Sequence, residues 1–357
     1  MSRSAVEKAL RRAVEILPPD KTWQMMEVCG THTMSIARMG IRELLSPRIR
    51  LVSGPGCPVC VTSEKDVAAS RYLAGLDSVT LTTFGDMMRV PSGGESLLDS
   101  RAAGADVRVV YSPTDAVDIA AGNPGREVVF LAVGFETTSP TIAAALLSAQ
   151  NRNIDNFYIL PMMKLVPPAL RLLCGHPELA IDGFLLPGHV SVIIGEAPYR
   201  FISGEFGIPG VITGFEGEDV ASGLLELARL ISSGEAEILN SYRRAVPREG
   251  NPSALAALER VFEPEDAEWR GIGELPMSGL TPKGEFRRFD ARLRFDIPEL
   301  PVREHPGCRC GEVILGKILP PECPLFGKVC SPRNALGPCM VSSEGACAAY
   351  YKYGSGK

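Results

Sequence analysis

The chain has 357 residues, of which 45% are hydrophobic and 22% are charged, and its net charge is −5 at pH 7. A chain of this length exceeds one compact core, so two or three domains are expected, each able to fold without disulfide bonds. The acidic balance and the lack of a long Lys/Arg run give no electrostatic case for nucleic acid as a partner.

The first predicted element is an amphipathic helix over residues 4–17, which ends before Pro18 and Pro19. Charged residues interrupt its apolar positions, so this segment lacks the continuous apolar core of a signal peptide. No apolar stretch approaches the length that crosses a membrane, about 20 residues, so no membrane association is expected. Ten cysteines without an export signal indicate a reducing, cytoplasmic location.

Between about residues 30 and 230, short β-rich runs alternate with helical stretches, which is typical of a parallel α/β architecture. The dense turn at residues 122–125 is the predicted boundary between one α/β unit, 30–121, and a second, 122–230. A long helix is predicted from residue 218 to about 245, followed by a third, less regular unit. The predicted strands are 24–28, 49–53, 78–83, 107–111, 128–133, 157–161, 183–186 and 210–213.

Cys29 directly follows the short predicted strand 24–28 and opens the sequence CGTHT, residues 29–33. The residues after it are small or polar. His32 could lower the pKa of Cys29 or donate to a bound anion. A single Cys beside a single His is weak evidence, and a structural role is the simpler interpretation.

Cys57 and Cys60 form a Cys-x-x-Cys pair inside GPGCPVC, residues 54–60. Ser63 resembles a helix N-cap, so a helix is predicted to begin just after the pair. The free N–H groups and the dipole of such a helix stabilise thiolates, which favours redox chemistry. A half-buried structural pair, or half of a zinc site, is an equally good interpretation of the spacing alone.

Two further motifs follow predicted strands. GFETT, residues 134–138, precedes a helix that opens at Ser139, and PGHVS, residues 187–191, includes His189. Open α/β sheets bind ligands at this end of their strands, so Glu136 could accept a proton or orient a cysteine. Plain helix capping explains the first motif equally well.

Six cysteines crowd the last fifty residues. Soft thiolates in a reducing compartment are typical of zinc or of an iron–sulfur cluster. The spacing does not establish which four act, and it is neutral between the two metals, although prolines beside several cysteines slightly favour a cluster. The preferred four, spaced C-x14-C-x6-C-x16-C, are Cys308, Cys323, Cys330 and Cys347, which leaves Cys310 and Cys339 as non-ligands.

Together these motifs resemble the hydrogenase maturation factor HypD family over nearly the full length of the chain. The resemblance rests on CGTHT, GPGCPVC, GFETT and PGHVS, and on the C-terminal segments 306–308, 339–342 and 344–347. It implies two Rossmann-like parallel-sheet domains and a third, less regular domain, formed by residues 1–29 and 231–357, that holds a 4Fe-4S cluster. The ligands that it implies are Cys308, Cys323, Cys330 and Cys347.

The resemblance also implies a function. Such a protein is a scaffold, rather than a turnover enzyme, on which the iron of NiFe-hydrogenases receives cyanide and carbon monoxide ligands. The implied partners are a HypC-type small chaperone and a HypE-type cyanide donor. Cys29 is then the iron ligand, shared with a cysteine of the chaperone, while Cys57 and Cys60 form a redox dithiol that exchanges electrons with the cluster.

Three residues are expected to position or protonate the nascent ligands: Glu136, Thr137 and His189. The main competing interpretation is a cluster-dependent thiol–disulfide oxidoreductase that acts on another protein. A zinc-stabilised binding protein without a redox role is the third. Metal analysis separates this last alternative from the other two.

Overall fold

The computed structural model describes residues 3–300 and 305–354, so the parts of the predicted third unit at 1–2, 301–304 and 355–357 lie outside the described residues. The described part contains two parallel sheets and one antiparallel hairpin. The strands are β1 (Trp23–Glu27), β2 (Ile49–Ser53), β3 (Val79–Thr83), β4 (Val107–Val109), β5 (Glu127–Gly134), β6 (Phe157–Met163), β7 (Gly183–Pro187), β8 (Gly210–Thr213), β9 (Ile238–Asn240), β10 (Phe262–Trp269) and β11 (Gly273–Pro282).

Helices follow most of the strands, as expected of parallel connections. None in the described part is long and apolar enough to cross a membrane. The α-helices are α1 (Arg3–Ile16), α2 (Gly30–Arg38), α3 (Ile41–Leu45), α4 (Pro58–Val61), α5 (Glu64–Ala74), α6 (Leu97–Ala102), α7 (Pro113–Gly122), α8 (Ser139–Asn151), α9 (Val166–Gly175), α10 (Gly188–Ile194), α11 (Arg200–Phe206), α12 (Gly217–Ser233), α13 (Pro252–Val261), α14 (Ala291–Arg294), α15 (Cys310–Ile314), α16 (Pro338–Val341) and α17 (Ala346–Tyr353). Short 3₁₀ helices lie at Gly85–Arg89, Ala197–Tyr199, Gly284–Phe289 and Pro320–Glu322.

The two sheets do not follow the order of the chain. One has the strand order β2-β1-β7-β8-β9 and the other β4-β3-β5-β6, and all pairs within them are parallel. The first sheet therefore combines residues 23–53 with residues 183–240. The turn at 122–125 connects α7 to β5 inside the second sheet, so it is not a boundary between the sheets. A turn signal marks a local reversal and carries no information about which distant strand pairs next.

The predicted parallel α/β class is confirmed, and three predicted helices can be compared with the structure. The helix at the N-terminus is present as α1, and the helix after Ser139 is present as α8. The long helix predicted to reach residue 245 ends instead at Ser233, because Gly234 adopts φ 70° and terminates it. The chain then forms β9.

The terminal unit packs against both sheets through a small number of elements. β10 and β11 form a hairpin, and Trp269 at its turn stacks on Phe135 with ring centroids 6.0 Å apart. The helices α16 and α17 pack on α4 and α2, respectively. One apolar core continues from the first sheet through the second to this unit, so the carboxyl ends of the strands become an interior surface.

Candidate functional site

Cys29 lies where β1 passes into α2, at the N-cap of that helix. The Gly30 N–H donates to the Gly56 carbonyl at 2.9 Å. A Cβ at Gly56 would collide with the backbone of Cys29. Only glycine permits this approach, so the CGTHT and GPGCPVC segments touch directly.

The Cys29 thiol is buried, with 8% of the residue exposed. Burial raises its pKa to about 12, and the charge of Glu344 adds to the increase. The N–H groups of His32 and Thr31 oppose the increase, but burial outweighs them. The resting thiol is therefore protonated, and a metal that binds here must displace its proton.

A buried carboxyl group that belongs to none of the sequence motifs is bonded to the backbone of Cys29. Glu27 at the end of β1 accepts a hydrogen bond from the Thr33 hydroxyl at 2.6 Å and from the Cys29 N–H at 3.3 Å. Arg42 lies 3.4 Å from it, but burial outweighs this cation and raises the pKa of Glu27 to about 7. An acidic residue at the end of an otherwise uncharged strand was the available signal.

His32 does not direct its ring toward Cys29. Its Nε2 lies 2.9 Å from the carbonyl oxygen of Gly214, to which it donates, and its ring lies against Phe215 at 4.7 Å. Burial lowers the pKa of His32 to about 4, so the imidazole is neutral. It is the backbone N–H of His32, and not the imidazole, that lowers the pKa of Cys29, because the first-turn amides of α2 face the N-cap.

Phe215 joins the two histidines of the predicted site. The exposed His189 ring stacks on it with a centroid distance of 3.8 Å, while His32 lies against it from the interior. Phe215 follows β8 and belongs to none of the motifs. The position of His189 therefore depends on a residue that only the fold brings beside it.

Cys57 and Cys60 are joined by a disulfide with their Cα atoms 5.2 Å apart. Cys57 is the N-cap of the short α4, and its sulfur accepts from the Cys60 N–H at 3.2 Å. Both residues are buried. Ser63 caps α5 as predicted, accepting from the Asp66 N–H at 3.1 Å.

Glu136 enters the same region from the second sheet. One carboxyl oxygen accepts from the Val166 N–H at 2.9 Å, while the other is buried and has no hydrogen-bond partner. Burial raises the pKa of Glu136 to about 7. Thr137 beside it is partly exposed.

A pH experiment can detect this buried carboxyl group. The folded-state pKa lies above the ordinary value of 4.5, so the protonated group contributes stability that is complete below pH 4.5 and lost as pH rises through about 7. We expect Glu136→Gln to gain about 3 kcal/mol of unfolding free energy relative to the original protein between about pH 5 and about pH 8. Urea unfolding at both pH values measures the gain.

The exposed Glu263, changed to Gln, is the matched control and should show no such gain. An equal stability difference at both pH values for Glu136→Gln would contradict the buried-carboxyl interpretation.

The six terminal cysteines surround one apolar cavity: Cys308, Cys310, Cys323, Cys330, Cys339 and Cys347. Two of them are already close neighbours, since the sulfurs of Cys310 and Cys339 lie 2.6 Å apart. The Cys60 sulfur lies 3.9 Å from the Pro338 carbonyl oxygen, next to Cys339 in the chain. The terminal thiols and the Cys57–Cys60 disulfide are therefore adjacent.

Glu344 connects the terminal unit to Cys29. It accepts from the Thr31 hydroxyl at 2.9 Å, and a Cβ at Gly30 would collide with it. Ser342, two residues earlier, donates to Asp86 at 2.9 Å. These contacts close the region around Cys29 with a residue that lies about three hundred positions away in the sequence.

Cavity size does not identify this region. Two larger cavities, of about 1060 and 940 Å³, contain none of the predicted site residues. The buried thiols, the buried carboxyl groups and the disulfide instead gather at the carboxyl ends of β1, β2 and β5. Parallel sheets present their functional groups at these ends.

The model of the HypD family, described as a hydrogenase formation family, matches residues 4–354. The chain belongs to the HypD family. The matched range includes all of the motifs on which the resemblance is based. It also covers the terminal unit, which contains Glu344 and the six clustered cysteines.

Curated relatives of this HypD-family chain are similar over most of their length. The hydrogenase maturation factor HypD of Cupriavidus necator is 47% identical over 344 residues, covering 94% of this chain and 91% of the relative. The factor of the same name from Escherichia coli is 44% identical, covering 94% and 90%. A putative hydrogenase expression/formation protein of Methanocaldococcus jannaschii is 40% identical, covering 98% of both chains.

Proposed function

We propose that this protein is a hydrogenase maturation factor, a scaffold on which iron acquires cyanide and carbon monoxide ligands for a NiFe-hydrogenase. The observation that carries the proposal is the convergence of Cys29, the Cys57–Cys60 disulfide and the terminal cysteines in one buried region. Membership of the HypD family and the printed names of the relatives support it.

The terminal cavity suits a 4Fe-4S cluster. Among the described residues, no three His, Cys, Asp or Glu side chains are placed to hold a single metal ion, as a tetrahedral zinc site requires. A cubane instead distributes its four thiolates over four irons, so its ligands lie further apart. When bound, the cluster supplies single electrons. The ligands that we assign are Cys308, Cys323, Cys330 and Cys347.

Cys310 and Cys339 then form a second dithiol beside the cluster ligands. Their sulfurs are close enough to become a disulfide with little movement. In the exchange that we propose, this dithiol gives two electrons and two protons to the Cys57–Cys60 disulfide. The first pair becomes a disulfide and the second a dithiol, so no other reactant is needed for this step.

Cys29 is the ligand that holds the incoming iron, with a second thiolate from a HypC-type partner, while a HypE-type partner supplies cyanide. Its proton leaves when iron binds, because only the thiolate is a ligand. Glu136 and Thr137 follow β5, and His189 follows β7; we assign to these three residues the positioning or protonation of the nascent ligands. Burial of Cys29 and Glu136 keeps water away from the assembled iron centre.

The alternative, a thiol–disulfide oxidoreductase for another protein, has less support. Thiol exchange requires an attacking thiolate to reach a sulfur of the disulfide. Cys57 and Cys60 are only 5% and 2% exposed, so a cysteine of a protein substrate has no access to them in this conformation. The Cys310–Cys339 pair is a better candidate, because Cys339 follows Pro338, whose carbonyl oxygen lies 3.9 Å from the Cys60 sulfur.

Infrared spectroscopy of the anaerobically purified complex with the small chaperone tests the function. Cyanide and carbonyl stretches fall in a spectral window that proteins leave empty, and we expect bands of both kinds. An intact complex that contains iron but lacks both kinds of band would contradict the scaffold proposal. Catalytic turnover of a separate disulfide substrate would instead favour the oxidoreductase.

The disulfide is tested separately by mass spectrometry. After unfolding and alkylation without reductant, we expect the peptide that carries Cys57 and Cys60 to have the mass of the linked, unalkylated pair. Prior reduction should add two alkyl groups to it. Cys174, a free cysteine outside the motifs, should be alkylated in both samples and is the internal control. Recovery of both Cys57 and Cys60 as free thiols after mild oxidation would contradict a redox role.

A further inference from the structure

Tyr199 is a polar residue in the buried region that none of the motifs includes. It is fully buried, at the end of the short 3₁₀ helix that follows α10. Its ring belongs to the apolar core that also contains Cys57, Cys60 and Phe135. A buried phenol that makes only apolar contacts would be costly, so the partner of its hydroxyl group is informative.

The hydroxyl group of Tyr199 lies 3.2 Å from the Ser191 hydroxyl. Ser191 also lies 2.8 Å from the Pro187 carbonyl oxygen, which can only accept. Serine has one hydroxyl hydrogen, and the shorter contact to the carbonyl uses it. Tyr199 therefore donates to Ser191 in the resting protein, and the Ser191 oxygen is the acceptor.

The hydroxyl group of Tyr199 is bonded to an element that starts beside Cys29. Its partner Ser191 lies in α10, which directly follows β7. β7 pairs with β1, and the Val28 N–H, one residue before Cys29, donates to the Leu185 carbonyl of β7 at 3.3 Å. Burial raises the pKa of Tyr199, and negative charge on Glu136 and on Cys29 adds to the increase. The phenol is therefore a neutral donor at any physiological pH. One oxygen of Glu136 is buried without a hydrogen-bond partner. Glu136 follows β5 of the second sheet and Ser191 follows β7 of the first, so each sheet supplies a buried polar group just after the carboxyl end of a strand.

We propose that the Tyr199 hydroxyl donates a hydrogen bond to the nitrogen of a cyanide on the iron held at Cys29. The inference rests on the proposed function and names the residue that recognises one of its two ligands. The nitrogen of a metal-bound cyanide carries a basic lone pair and a partial negative charge, whereas the oxygen of a metal carbonyl is a poor acceptor. A single buried donor therefore distinguishes two diatomic ligands of nearly the same size.

Infrared spectra of the chaperone complex carrying Tyr199→Phe test this assignment. A hydrogen bond to nitrogen raises the stretching frequency of a metal-bound cyanide, so its removal should move a cyanide band to lower wavenumber. The carbonyl band should move less. The matched control is Tyr158→Phe, which removes a hydroxyl group bonded to the Asp155 carbonyl. Tyr158 lies at the amino end of β6, whereas the site lies at the carboxyl ends of the strands. This variant should leave all bands in place.

Ser191→Ala provides a second variant with the opposite expected sign. It removes the resting acceptor of the Tyr199 hydrogen, which then becomes fully available to cyanide. We expect the cyanide band to keep its position or to move to higher wavenumber, and a shift to lower wavenumber would overturn the inference. If Tyr199→Phe does not fold, the position of the cyanide band in Ser191→Ala decides the question.

The outcomes separate this inference from the function on which it rests. Cyanide bands in the original protein that stay unchanged in Tyr199→Phe would overturn the role of Tyr199 and leave the scaffold intact. The absence of any cyanide or carbonyl band in the original complex would remove the scaffold itself.

Discussion

Replacing Cys29 with Ala is expected to abolish the cyanide and carbonyl infrared bands of the chaperone complex while the terminal cluster and the fold remain. The sulfur makes no capping hydrogen bond to α2, so its loss leaves the helix start intact. The cost to stability should be on the order of 1 kcal/mol, as for most single substitutions. Infrared spectra, iron content and a thermal melt of the same preparation measure the three quantities.

Cys174→Ala is the matched control for Cys29→Ala. This cysteine is half-buried in α9, lies outside the motifs and should leave the bands unchanged. If the bands persist in Cys29→Ala, the iron is held elsewhere, and the Cys57–Cys60 pair becomes the candidate. If the melt shows that Cys29→Ala is unfolded, Cys29→Ser is used instead. It removes the same sulfur and keeps a side chain of similar size.

The second large effect is expected at the terminal cysteines. Cys323→Ala should remove the brown colour of anaerobic preparations and lower the iron content from about four per chain to near zero, because a cubane that loses one thiolate is not retained. Electronic absorption and iron analysis measure this loss. Cys323 is chosen because it lines the cavity and is not part of the close Cys310–Cys339 pair.

Cys310→Ala is the control for the cluster ligands, since it lines the same cavity. It should retain iron and colour, while the second dithiol that we propose is lost. Bleaching by Cys310→Ala, with Cys323→Ala still brown, would show that the ligand assignment is wrong. Zinc in place of iron in the original protein would support the third interpretation, a zinc-stabilised binding protein.

Several residues of the site could not be identified from the sequence. Glu27, Tyr199 and Phe215 belong to no motif, and their importance arises from burial and from neighbours that are distant in the chain. Glu344 lies inside a recognised motif, but its contact with Thr31 spans more than three hundred positions. A hydrophobic pattern predicts which side of a helix or strand is buried. It does not predict which polar atom of a distant segment will contact that side.

His32 illustrates the same limit. Its position next to Cys29 made it a candidate for lowering the pKa of the thiol, yet its ring points to Gly214. Cys29 is the N-cap and has an extended backbone, and its spacing of three residues from His32 does not decide where the imidazole finds its hydrogen-bond partner. At that position the backbone amides face the sulfur, while the imidazole is free to pack against another element.

The local structure and the chemical character of this protein can be predicted from its residues and their spacing. Strand runs, the Ser63 cap and the Ser139 helix start follow from residue preferences over a few positions, and the thiol motifs follow from spacing. The tertiary structure alone decided that β1 pairs with β7, that the turn at 122–125 lies within one sheet, and that Cys29 meets Gly56 and Glu344. Strand order depends on the summed burial of surfaces that are distant in sequence, and no local pattern contains that sum.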